Sequence, residues 1–172
     1  MKIEGKPYRP AAFAAYLAAL PASPWQPSLI VIHHCAAPSL SQRPKGFTAQ
    51  HMLNLQDYYE KKGWSAGPHL FVDDDEIWTF SPLTARGVHA PSFNATGIGI
   101  EMLGDYDLED PWSGRGLAVL TTTCQAVKLL MAKFHLPATA IRFHRDDPKT
   151  AKTDPGIKIT KNRFLKLLRS FP

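Results

Sequence analysis

Ser28-Leu-Ile-Val-Ile-His33, with Pro27 before it and Pro38 after it, is a short apolar run that closes on a histidine. Its length and its freedom from polar alternation predict a buried strand. Working outward, Thr48 is an N-cap for a helix through about Lys62, which Gly63 ends. His69-Leu-Phe-Val-Asp73 and Glu76-Ile-Trp-Thr-Phe80 predict a hairpin with acidic turn residues, and a Gly- and Pro-punctuated loop carrying His89 follows. Ile98 to Leu103 is another apolar strand. Beyond the acidic, aromatic loop from Asp105 to Trp112 come the longest helix, about Leu117 to Phe134, and a strand Ala140-Ile-Arg-Phe143 that ends at His144. Thr160 to Phe171 reads as a basic amphipathic helix.

Strands and helices alternate without a strict βαβ rhythm and include one hairpin. The expectation is therefore an α/β single domain with a central mixed β-sheet flanked by helices on both faces. Residues 1–26 are expected as a helical extension and 27–172 as the core. In the extension, Phe13, Tyr16, Leu17 and Leu20 recur at i, i+3, i+4, i+7 behind Pro10, and Glu4 interrupts the basic segment. That pattern favours a docked amphipathic helix over the apolar core of a secretion signal.

At 172 residues and 44% hydrophobic content the chain can bury one core, and its net charge per residue is too low for disorder. No apolar run is expected to approach the ~20 residues of a membrane span. Cys35 and Cys124 are too few for a disulfide scaffold and are expected as free thiols. The +5 charge favours polyanionic partners, whether nucleic acid, anionic lipid or an acidic wall polymer.

His33/His34 and His144 each close an apolar strand. If those strands are parallel neighbours, the histidines converge on one sheet edge, where ligands of open α/β sheets gather. Successive strand side chains point to opposite faces, so only one of His33 and His34 belongs to a given site. Ten residues after His144, Asp154 precedes Pro155-Gly156. It is open to two readings: turn chemistry, or the carboxylate of a two-histidine zinc set. Glu101 stands alone in the uncharged stretch Gly97 to Gly104, which implies either a partner or task for its carboxylate or an edge strand facing water. Gly97 and Gly99 leave its face of the strand bare, so a ligand or another element can approach the backbone closely.

Five blocks occur in order: Ile30-Val-Ile-His-His-Cys-Ala-Ala37, Gly63-Trp-Ser-Ala-Gly-Pro-His-Leu-Phe-Val72, Gly87-Val-His-Ala90, Asn94 to Gly104, and His144-Arg-Asp with Lys152-Thr-Asp-Pro-Gly156. Together, over roughly residues 27 to 170, they resemble the zinc-dependent N-acetylmuramoyl-L-alanine amidases of the amidase-2 type. That superfamily includes phage endolysins, anhydro-muropeptide amidases of wall recycling and peptidoglycan recognition proteins. The resemblance implies one zinc ion held by His33, His144 and Asp154, with His34 facing away. It implies Lys152 as the substrate-polarising residue and Glu101 as general base. The bond cut would be the amide between the lactyl group of N-acetylmuramic acid and L-alanine. Pro68 stands where many members carry an active-site tyrosine, which moves general-base duty toward Glu101. His89, Trp64 and Asn94 are expected at the substrate groove, against a supporting or structural role for His89, core packing for Trp64 and a turn for Asn94.

The resemblance makes the partner peptidoglycan or a muropeptide. Its rivals are a non-catalytic peptidoglycan-binding module, a cytosolic recycling amidase, and a nucleic-acid or regulatory role for the tail bearing Lys158, Lys161, Arg163, Lys166 and Arg169. Phe164, Leu165, Leu168 and Phe171 instead predict that the tail packs on the sheet with its charged face in water, where membrane-surface or envelope contact is the functional option. A monomer without a specific nucleic-acid partner is expected. Synthesis in the cytoplasm without a convincing signal peptide is expected, followed by release or delivery to the periplasm or cell wall.

Overall fold

The computed structural model describes residues 1–171, and Pro172, at the end of the expected core, lies outside them. The strand read around Ile30 is β2 (Leu29–His34), buried at every position after the first. With β1 (Lys6–Tyr8), β3 (Leu70–Val72), β4 (Ile77–Thr79), β5 (Gly97–Met102) and β6 (Ile141–Phe143) it forms a six-stranded sheet in the order β1-β4-β3-β5-β2-β6. The hairpin strands β3 and β4 are antiparallel, while β3, β5, β2 and β6 run parallel, so the sheet is mixed.

Strand alternation sorts the side chains onto two faces. Ile30, Ile32, Ile98 and Ile100 pack with Phe13 and Leu17 of α1 (Pro10–Ala18), Val119, Val127 and Leu130 of α3 (Gly114–Phe134), and Phe164 and Leu168 of α4 (Lys161–Arg169). On the other face, Phe71 and Trp78 pack with Phe47 and with Met52 and Tyr59 of α2 (Ala49–Lys61). One helix cannot cover that whole face, so the carboxyl ends of β2 and β5 there open on a cleft. The Thr48 hydroxyl accepts from the His51 amide to start α2, and Gly63, at φ +74°, ends it.

Two features differ from the sequence expectations. Residues 6–8 form an edge strand antiparallel to β4, with Lys6 opposite Thr79 and Tyr8 opposite Ile77, so the N-terminal segment contributes to the sheet as well as docking a helix. And α3, at 21 residues, is by length and composition apolar enough to cross a membrane. Its apolar residues are instead spent on the core: nine of its positions are buried, including Val119, Leu120, Val127 and Leu130. Cys35 and Cys124 are free thiols.

Candidate metal and active site

Parallel pairing brings the strand-end histidines together. Ile32 pairs with Phe143, so the next residues, His33 and His144, leave the sheet side by side. Their Nδ1 atoms lie 3.1 Å apart, and Asp154 Oδ2 lies 3.2 Å from His33 Nδ1 and 2.7 Å from His144 Nδ1. All three side chains are buried. Asp154 is held by its own loop: the Arg145 amide donates to the Asp154 carbonyl (2.9 Å), the Arg145 guanidinium donates to the carbonyls of Thr153 and Gly156, and the His34 amide donates to Asp154 Oδ1 at 2.9 Å. Burial by itself would raise the Asp154 carboxyl, but the adjoining His144 and His33 rings outweigh it and hold the group below the usual carboxylate range. Burial pushes His33 down, against the opposing pull of Asp154.

The donor set fits zinc. Tetrahedral ligands at ~2.0–2.1 Å from the ion stand about 3.3 Å from one another, close to the triangle formed here, and two imidazole nitrogens with one carboxylate oxygen are a common catalytic set. A second grouping, His34 with Asp105 and Asp107, does not fit a metal. His34 Nδ1 accepts from the Tyr106 amide at 3.0 Å, which in the neutral ring leaves Nε2 as an N–H donor.

Glu101 is the register partner of His33, and its Oε1 lies 3.8 Å from His33 Nδ1. Burial and the nearby Asp154 carboxylate push its carboxyl well above the ordinary glutamate value, with Lys152 partly opposing them. The edge-strand reading of Glu101 is excluded, because β5 lies between β3 and β2. Glu101, His33, His144, Asp154 and Lys152 line a cleft of about 460 Å³ whose wall includes Pro68, Trp64 and Tyr58.

The three residues expected at the groove separate. Trp64 is 37% exposed on the cleft wall and stacks on Tyr59 (centroids 5.1 Å, planes 10° apart). His89 reaches the cleft floor but stands behind His33, its Nδ1 3.1 Å from His33 Nε2. Asn94 does not line the cleft: its Oδ1 accepts from the amides of His89 and Ala90, both at 2.8 Å, so the expectation of a groove residue is corrected to a turn role. Sequence reasoning missed the α2 contribution, His51, Asn54, Tyr58 and Lys62, which line the cleft from one helix face. Their i, i+3, i+7, i+11 spacing was a readable signal, a polar and aromatic stripe on a face that has no core to meet.

A mixed sheet with a His-His-carboxylate set at the carboxyl ends of its parallel strands defines an α/β domain with a candidate metal centre. The N-acetylmuramoyl-L-alanine amidase family matches residues 23–157, and the chain belongs to that family. Peptidoglycan-recognition protein LB of Drosophila melanogaster is 28% identical over 85 residues, a match covering 48% of this chain and 36% of that protein. The chain thus spans about a third of the length of the curated relative it matches. Among solved structures, N-acetylmuramoyl-L-alanine amidase LysC from Clostridium intestinale URNW has a TM-score of 0.67 at 24% identity, covering 88% of this chain and 91% of that one. A Drosophila PGRP-LB mutant in complex with tracheal cytotoxin has a TM-score of 0.64 at 22% identity, covering 90% and 86%. At these identities the structures share the fold.

Proposed function

We propose that the chain is a zinc-dependent amidase that hydrolyses the bond between N-acetylmuramic acid and L-alanine in peptidoglycan or its fragments, with His33, His144 and Asp154 holding the ion. The observation that carries this reading is the convergence of those three donor atoms, buried, beside a carboxylate of raised proton affinity in one open cleft. When bound, zinc supplies Lewis acidity, polarising a carbonyl and lowering the pKa of water toward ~7.

The protein's own residues handle the protons. Glu101 accepts a proton from the attacking water as its oxygen joins the lactyl carbonyl carbon. It delivers that proton to the alanine nitrogen as the carbon–nitrogen bond breaks, leaving a carboxylic acid and a free amine. An elevated pKa suits both halves of this shuttle near neutral pH. Lys152, in the cleft lining, stabilises the negative charge that builds on the carbonyl oxygen. Trp64 and, from α2, Tyr58 line the cleft that would receive the substrate.

Our reading is of a monomer that meets the wall after release or delivery, with envelope contact through the charged face of α4. On that face Lys166 and Arg169 remain after Lys161 pairs with Asp146 at 2.8 Å and Arg163 lies over the Trp112 ring at 3.9 Å.

Dye release from purified sacculi, and release of L-alanine-linked peptide from anhydro-muropeptides, should both be assayed with chelator and after zinc is restored. The proposal expects activity that chelator abolishes and zinc restores. Binding to sacculi without any hydrolysis would identify a recognition module, and hydrolysis of the soluble fragments alone would identify a recycling enzyme.

A further inference from the structure

Gly97 and Gly99 leave the Glu101 face of β5 bare, and the His89 ring occupies the space. A Cβ at Gly99 would lie 2.5 Å from His89 Cγ, and one at Gly97 would lie 2.9 Å from the Phe93 carbonyl and 3.4 Å from His89 Cε1. The close approach foreseen for this strand is therefore made by another element of the same chain. The slot is braced from behind by His69, whose ring meets His89 edge-on with centroids 6.0 Å apart. His69 is itself fixed: its Nδ1 accepts from the Gly99 amide at 3.1 Å, its Nε2 donates to the Ala85 carbonyl at 3.0 Å, and Trp25 stacks on it. Asn94 pins the His89 backbone.

With the rings neutral, hydrogen-bond direction from Gly97 through His89 to His33 has one solution. The Gly97 carbonyl can only accept, so His89 Nε2, 3.0 Å from it, carries the proton. A neutral imidazole has one N–H, so His89 Nδ1 is an acceptor and His33 Nε2, 3.1 Å away, is the donor. His33 is left with its Nδ1 lone pair turned toward His144 and Asp154.

We propose that His89 is a positioning residue for the metal centre: seated in the glycine slot, it holds His33 as the Nε2–H tautomer with Nδ1 presented to the ion. The proposal rests on the zinc reading above and deepens it. Partners of this kind orient a ligating histidine, and their loss typically weakens metal affinity by ~10–100-fold.

The test is zinc affinity by competition with a chromophoric chelator for the wild type, His89→Leu, His89→Asn and Gly99→Ala, with thermal midpoints of the metal-free proteins. Nitrogen NMR of the His33 ring in the wild type accompanies it. His89→Leu should bind zinc about 10–100-fold more weakly. His89→Asn, whose Oδ1 stands in for the lost acceptor, should recover most of that affinity. Gly99→Ala should reproduce the loss with His89 still present, because the new methyl evicts the ring. NMR should report His33 as Nε2–H, a reading that needs no variant to fold. Unchanged affinity in His89→Leu, or an Nδ1–H tautomer in the zinc-loaded wild type, overturns the role of His89. A wild type that binds no zinc overturns the underlying zinc reading instead, and the role of His89 with it.

Discussion

His33 and Glu101 are partners in the register of two adjacent parallel strands, and their side chains leave the sheet on the same face with 3.8 Å between Nδ1 and Oε1. A metal donor and a proton acceptor are thus mounted on neighbouring strands of one sheet, a rigid platform compared with a loop. Glu101→Gln keeps the shape and removes the proton acceptor. It should lower kcat by about 10²–10⁴-fold while zinc stoichiometry and melting temperature stay near wild type. Full muralytic activity in this variant would end the general-base assignment.

Asp154 supplies the only carboxylate oxygen within hydrogen-bonding reach of both His33 and His144 among the described residues. Asp154→Ala removes one donor of three and the negative charge that offsets the cation. Metal analysis after gel filtration should find well under one zinc per chain. Stoichiometric zinc in this variant would show that the ligand set is wrong.

Lys152 lines the cleft near enough to bias both Glu101 and His33 electrostatically. If it serves the developing oxyanion, Lys152→Met should cost about 10²–10³-fold in kcat with little change in KM. A loss carried wholly by KM would mean that Lys152 only binds substrate.

His69 gives the folded state a pH dependence whose sign can be worked out. Burial lowers its pKa from 6.5 to about 4, so between those values the unfolded chain takes up a proton that the folded chain refuses. Stability should therefore fall as pH drops from about 6.5 to about 4, by roughly 3 kcal/mol in all from this group. Urea denaturation of metal-free protein at pH 7 and at pH 4.5 should show the loss, and the non-titrating His69→Gln should lose less over the same interval. An identical loss in both proteins would place its origin elsewhere.

Phe13 is fully buried in the main core, where α1 meets α3 and the sheet. Phe13→Ala should destabilise the protein by about 3–5 kcal/mol, readable as a lower urea midpoint with unchanged cooperativity. A separate early transition would instead show that the N-terminal helix unfolds independently of the rest.

Much of this was legible along the chain because it is local. The run Leu29 to Ile32, the Thr48 cap with Gly63, and the hairpin around residues 69–80 are each specified by neighbours in sequence, and the structure forms them within a residue or two. Convergence of His33 and His144 followed from one conditional, parallel pairing of two strands that each end on a histidine, and the condition is met. The edge strand Lys6–Tyr8 left no such trace: three residues carry no readable alternation, and what makes them a strand is the unpaired edge of β4.

By itself, then, the sequence determined every element type but the edge strand Lys6–Tyr8, the mixed α/β class and the residues able to make a His-His-carboxylate set, since periodicity, caps and side-chain chemistry are properties of short stretches. Only the tertiary structure decided which face His33 shares with Glu101, that Asn94 holds a turn instead of lining the groove, and that His89 lies behind His33 in the slot above Gly97 and Gly99. Apart from the local Asn94 turn, which the sequence left open against a groove role, these are contacts between loops and strands distant in sequence. Their hydrogen bonds exist only once the sheet has fixed the register and excluded water, and no spacing along the chain records them.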